Sequence, residues 1–170
     1  EECFNCQLSV AIESDKLFSN YLYQSSTTEK FKSHFSLAAK KYISEFDLEK
    51  EAYIIDVGSN DGIGLRPFLE QGFKNIEGIE PAKNLAELAN KNGINTFHGY
   101  LEDKAMNPVK NGADLLLASN VFAHSDNLES MAQSMKKLIK PDGKIIIEVQ
   151  YLLNTIKDLT FDNIYHEHTN

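Results

Sequence analysis

Past Glu51 the chain alternates short apolar runs with stretches whose apolar residues recur every three or four positions. Runs near 53–57, 76–79, 94–97, 113–119 and 144–150 have the length and composition of strands. Between them, helices are predicted near 63–71, 82–91 and 127–139, the last with Leu128, Met131, Met135, Leu138 and Ile139 on one face. Lys140-Pro141-Asp142-Gly143 then reads as a stop and a turn. Leu115, Leu116 and Leu117 follow one another with no polar residue between them, as in a parallel strand covered on both faces. Strand and helix in alternation imply right-handed crossovers. The expected fold is α/β, a doubly wound sheet.

Ahead of that region, Phe31, Phe35, Ala38, Ala39, Tyr42 and Phe46 mark a further helix, with Ser26 and Glu29 at the spacing of a capping box. From Gln7 to Thr28 no period is evident. That stretch holds an aromatic patch (Phe18, Tyr21, Tyr23) followed by Ser25-Ser26-Thr27-Thr28. The division expected is an N-terminal extension over 1–28 and a larger domain over 29–170.

Composition narrows the partners. A chain of 170 residues with 42% hydrophobic content can bury the core of one domain. Its 17 Lys and Arg against 25 Asp and Glu leave a net charge of −8, which disfavours nucleic acid and anionic membrane. No apolar run exceeds four residues and the N-terminus lacks the form of a signal peptide, so a soluble, cytoplasmic protein is expected. The two cysteines, Cys3 and Cys6, cannot build a disulfide framework. They are a free pair or half of a tetrahedral zinc site whose other half is not visible.

Candidate chemistry begins directly after the first predicted strand, where Gly58, Gly62 and Gly64 fall within seven residues. Glycines allow close backbone approach to a ligand, and the crevice at the carboxyl ends of the strands is where doubly wound sheets bind one. The spacing is Gly-x-x-x-Gly-x-Gly rather than the Gly-x-Gly-x-x-Gly of dinucleotide sites, which suits a nucleoside without a pyrophosphate. Glu80 ends the second strand, 18 residues after Gly62, where a carboxylate can accept from both ribose hydroxyls. Together these point to S-adenosylmethionine. On such a fold, Asp56 lies beneath the methionine moiety, with Ser59, Asn60 and Asp61 offering groups to its amino and carboxylate ends. Pro81 follows the ribose acid, Gly99, Tyr100 and Leu101 follow the third strand beside adenine, and Asn120 and Val121 adjoin the methionine end.

Six segments in order along the chain resemble S-adenosylmethionine-dependent C-methyltransferases acting on nucleotide-linked ketosugars. They run from Leu17 to Thr27, Asp56 to Gly62, Gly78 to Asn84, Asn120 to His124, Leu138 to Gly143 and Phe161 to His168. The glycine loop is generic to class I methyltransferases; Asn120-Val121-Phe122-Ala123-His124 and Tyr165-His166-Glu167-His168 are far more specific. The resemblance implies a Rossmann-like methyltransferase domain that lacks its last strands, behind a remnant of a zinc-binding region. That region uses two Cys-x-x-Cys pairs in the family, and this chain carries one. By the same resemblance His168 is the base, Glu167 binds or orients substrate, and His124 with Tyr21 or Tyr23 contacts it.

The residues agree with that chemistry. Methylating a carbon beside a ketone requires removal of a carbon-bound proton, and histidine has a suitable pKa for the task. His124 follows the fourth predicted strand and so falls at the sheet edge that carries the glycine loop. His166 and His168 could also form a metal pair. Other readings are a cofactor-binding module without turnover, a small-molecule O-methyltransferase, and a nicotinamide oxidoreductase, the last disfavoured by the glycine spacing.

Overall fold

A computed structural model describes residues 7–108, 111–159 and 169. The elements are α1 (Ser14–Phe18), α2 (Glu29–Glu45), β1 (Ile54–Val57), α3 (Arg66–Glu70), β2 (Ile76–Glu80), α4 (Lys83–Lys91), β3 (Thr96–His98), α5 (Leu101–Met106), β4 (Ala113–Ser119), α6 (Leu128–Leu138), β5 (Ile139–Glu148) and α7 (Leu152–Lys157). Single 3-10 turns form at Ser25–Thr27 and Phe122–His124. The five strands make one parallel sheet in the order β3-β2-β1-β4-β5. The order reverses at β1, so the cleft between the β1 and β4 ends is the topological switch point.

Strand composition explains the layering. Ile54, Leu115 and Leu117 pack with Leu65, Phe68, Phe73 and Ala89 on one face. Ile55, Val57 and Leu116 pack with Leu101, Met131, Met135 and Leu138 on the other. Each strand of the centre is thus buried from both sides, which is why its apolar residues run on without alternation. Asn127 caps α6 by accepting from the Ser130 amide at 2.9 Å. No helix among the described residues is long and apolar enough to cross a membrane.

Three expectations need correction. The capping box at Ser26 and Glu29 does not form: α2 is capped at Thr28 without a side-chain bond, and Ser26 lies in the preceding 3-10 turn. The helix expected over 63–71 contracts to α3, because the stretch before Arg66 is spent on the turn of the glycine loop. Lys140-Pro141-Asp142-Gly143 is not a turn before β5 but lies within it. The register advances from Ala113↔Ile139 to Leu115↔Lys144, so the extra residues bulge out, which is where a strand tolerates proline. α1, α5 and α7 were not expected, each being six residues or shorter and so too brief to show a period.

Candidate active site

The carboxyl ends of the strands open onto one cavity of about 1170 Å³. β1 and its loop contribute Asp56, Gly58, Ser59 and Asn60; β2 contributes Glu80 and Pro81. Gly99, Tyr100 and Leu101 follow β3, and Asn120, Val121 and His124 follow β4. The segment ahead of α2 adds Phe18, Tyr21 and Tyr23 on the same cavity. Residues expected from five separate parts of the chain are therefore neighbours.

The glycine loop turns because its residues can. Gly58 (φ +63°) and Asn60 (φ +52°) are left-handed, a region that only glycine and, among other residues, chiefly asparagine enter readily. The Gly58 and Ser59 amides both donate to Ile79 O, at 2.8 and 3.1 Å, tying the loop to β2. A methyl group on Gly58 would lie 2.4 Å from Val121 Cγ2. Gly58→Ala should therefore displace Val121 and strain the backbone, costing about 2 kcal/mol. Thermal unfolding should show a fall of several degrees; an unchanged melting temperature would refute this account of the loop.

Glu80 is buried, and both its oxygens are engaged: Oε2 accepts from the Asn60 amide at 2.7 Å and Oε1 from the Ala82 amide at 2.8 Å. Burial raises its pKa, and those two amides act against the rise. Each oxygen keeps a further acceptor position, so the carboxylate is held in place with capacity for a diol. Asp56 is also buried, and burial followed by repulsion from Glu80 pushes its pKa up to about 8. A cation over Asp56 would restore its charged form.

Two of the residues expected at the cofactor do not line the cavity. Gly62 forms the turn against Ile94, and Asp61 is buried with Oδ2 accepting from the Ser26 amide at 3.2 Å. The Asn60 side chain is likewise committed elsewhere. Its Oδ1 accepts from the Ser25 amide at 3.0 Å and its Nδ2 donates to Tyr23 O at 3.0 Å. These three residues shape the loop or hold the neighbouring segment. The Ser59 hydroxyl is buried without a hydrogen-bond partner among the described residues and lies against Gly78.

The segment from Ser14 to Thr27 forms a strap over the cavity mouth. Asn84 Nδ2 donates to Tyr21 O at 2.8 Å, and the Tyr100 hydroxyl donates to Asp15 Oδ1 at 2.8 Å. Burial, then that bond to Asp15, raises the Tyr100 pKa. The Phe18 ring lies 5.3 Å from the His124 ring and 5.8 Å from Tyr21, and Tyr21 lies 6.5 Å from Tyr23. Sequence reasoning missed Asp15 and Asn84, whose partners are 85 and 63 residues away and leave no local signal.

His168, Glu167 and His166, with Cys3 and Cys6, lie outside the described residues. Thr169 is described: its amide donates to Ala123 O at 2.8 Å, in the turn that carries His124. Among the described residues no group of three or more His, Cys, Asp or Glu is arranged to hold a metal.

The chemistry of the lining fits the expected nucleoside. Asp56, Glu80, Glu102, Asp103 and Asp126 face the cavity, and none of the described lining residues is Lys or Arg. That set suits a ligand bearing ammonium and sulfonium charges and is poorly suited to a pyrophosphate. Fold and site together define a class I, S-adenosylmethionine-type methyltransferase domain. The family model for a methyltransferase domain matches residues 27–170, and the chain belongs to that family.

Relatives and solved structures agree. The chain is 30% identical over 169 residues to the C-methyltransferase NovU of Streptomyces niveus, covering 98% of this chain and 40% of that protein. It therefore spans well under half the length of this relative. The plantazolicin methyltransferase BpumL in complex with SAH (S-adenosylhomocysteine) has the same fold, with TM-score 0.68 and 17% identity over 84% of this chain and 57% of that one. A SAM-dependent methyltransferase of Archaeoglobus fulgidus matches at TM-score 0.64 and 18% identity, over 84% and 64%.

Proposed function

We propose that the protein C-methylates a nucleotide-linked ketosugar, using S-adenosylmethionine. The observation that carries this reading is one cavity shared by the acids Asp56 and Glu80 and the aromatic wall of Phe18, Tyr21, Tyr23 and His124. Glu80 would hold the ribose and Asp56 would balance the ligand's positive charge. Bound there, S-adenosylmethionine supplies an electrophilic methyl group. His168 takes the proton from the carbon beside the ketone, and the electron pair of the broken C–H bond delocalises onto the carbonyl oxygen. Glu167 orients the base or the sugar. His124, Tyr21 or Tyr23 donates a hydrogen bond to the developing oxyanion. That carbon would then take the methyl group, the C–C bond forming as the methyl–sulfur bond breaks and leaves its electron pair on sulfur, so the products are the C-methylated sugar and S-adenosylhomocysteine. Because the described lining holds no Lys or Arg, the sugar ring enters this cavity and the diphosphate stays outside it.

The 30% identity to a C-methyltransferase supports carbon over oxygen as the methylated atom. The test is transfer of labelled methyl to a ketosugar nucleotide by the wild type and by His168→Ala. The variant should lose turnover by about a hundredfold or more, as expected for a general base, with SAH affinity unchanged. Parallel loss of turnover and affinity would remove His168 from the role of base, and absence of turnover by wild type that binds SAH would favour a binding module.

A further inference from the structure

Asn60 has contacts that no nucleoside requires. It sits in the glycine loop in a left-handed conformation, and its amide orients Glu80 at 2.7 Å. Its side chain reaches in the other direction. Oδ1 accepts from the Ser25 amide and Nδ2 donates to Tyr23 O, each at 3.0 Å, across 35 and 37 residues of sequence. Beside it, Asp61 Oδ2 accepts from the Ser26 amide at 3.2 Å. One residue thus bonds both to the acid expected to bind ribose and to the backbone that presents Tyr23. Further tethers of the strap, from Asn84 to Tyr21 O, from the Lys83 amide to Ser19 O and from Tyr100 to Asp15, lie ahead of the Tyr23–Ser26 stretch that Asn60 and Asp61 bond.

We propose that Asn60 is a positioning residue that couples occupancy of the cofactor site to the placement of the aromatic strap. This inference rests on the methyltransferase reading. When a ribose engages Glu80, the carboxylate and the Asn60 amide are held together, and Asn60 can then offer its side chain to the strap in one orientation. An empty site leaves the loop freer and the strap less firmly held. The acceptor wall is therefore fully formed when the cofactor is present. Such coupling is reciprocal: whatever factor SAH contributes to strap closure, the strap returns to SAH affinity.

Amide hydrogen exchange on the whole protein, with and without saturating SAH, reads this directly. In wild type, SAH should slow exchange at the Ser25 and Ser26 amides by about tenfold, within the usual range of coupling between sites. Asn60→Gly keeps the left-handed backbone and the amide bond to Glu80 while deleting the side chain. It should reduce that slowing to less than about twofold and weaken SAH by a matching factor of about tenfold. Ser25→Pro removes the strap amide without touching the loop, and Gln24 is already extended (φ −104°, ψ 113°), as a residue before proline must be. It should reproduce both effects, with the exchange read at the Ser26 amide, which guards against a folding defect in Asn60→Gly. SAH binding that leaves the Ser25 and Ser26 amides unchanged in wild type would overturn the coupling alone, as would wild-type SAH affinity in Ser25→Pro. Wild type that does not bind SAH would overturn the methyltransferase reading and this inference with it.

Discussion

Replacing Glu80 with alanine is expected to weaken SAH binding by about a hundredfold or more. Hydrogen bonds to a charged group contribute about 1.5–3 kcal/mol each, and the carboxylate would make two to a ribose diol. At about 1.4 kcal/mol per tenfold in affinity, loss of both reaches or exceeds that factor. The effect has a second origin in the protein itself. Glu80 also accepts from the Asn60 and Ala82 amides, so its removal frees the loop that the ligand needs. Glu80→Gln separates the two contributions. It keeps one acceptor oxygen but turns an NH2 group toward an amide, so it should bind between wild type and Glu80→Ala. Calorimetric titration of all three, with circular dichroism to confirm folding, makes the measurement. A folded Glu80→Ala protein that binds SAH within about threefold of wild type would show that the β2 acid is not the ribose ligand.

Asp56→Asn should make the ligand-free protein more stable, by an amount that depends on pH. An aspartate has its ordinary pKa at 3.8, and burial with repulsion from Glu80 pushes Asp56 up to about 8. The folded state therefore binds this proton more tightly than the unfolded state. Its contribution to stability is fully present below the ordinary value and is lost as pH rises through about 8. Across that window wild type loses at most about 1.4 kcal/mol per pH unit relative to the non-titrating asparagine. The two proteins should melt together near pH 4 and diverge steadily to pH 8, with Asp56→Asn the more stable. A constant difference across that range would refute the raised pKa. The same carboxylate explains why the cost is tolerated. A ligand ammonium over Asp56 favours its charged form, so SAH binding at pH 7 should release a proton from wild type and none from Asp56→Asn. Titration in buffers of different ionisation enthalpy would show this.

These two acids were legible in the sequence because their setting is local. A β-rich run ending in Asp56, three glycines in seven residues and Glu80 at the end of the next run are all readable within about 30 residues of chain. The parallel sheet was legible for the same reason, since strands buried on both faces carry unbroken apolar runs such as Leu115 to Leu117. Local signals failed where a distant partner competed with them. Ser26 and Glu29 have the spacing of a capping box, yet the Ser26 amide goes to Asp61, 35 residues on. Lys140-Pro141-Asp142-Gly143 has turn composition, yet the pairing of β5 with β4 carries it through as a bulge.

The sequence by itself determined the layered α/β core, the glycine loop and the acids beside it, because periodicity and short spacing encode them directly. Only the tertiary structure decided that the Asn60 and Asp61 side chains bond to the strap, and that Asp15 meets Tyr100. It puts Phe18 on the cavity that Tyr21 and Tyr23 share with His124, some 100 residues away, a grouping that the family resemblance implied and no local pattern carries. The physical reason is that hydrogen bonds and ring contacts between distant segments depend on how the sheet brings its loops to one edge, and no period along the chain records that geometry.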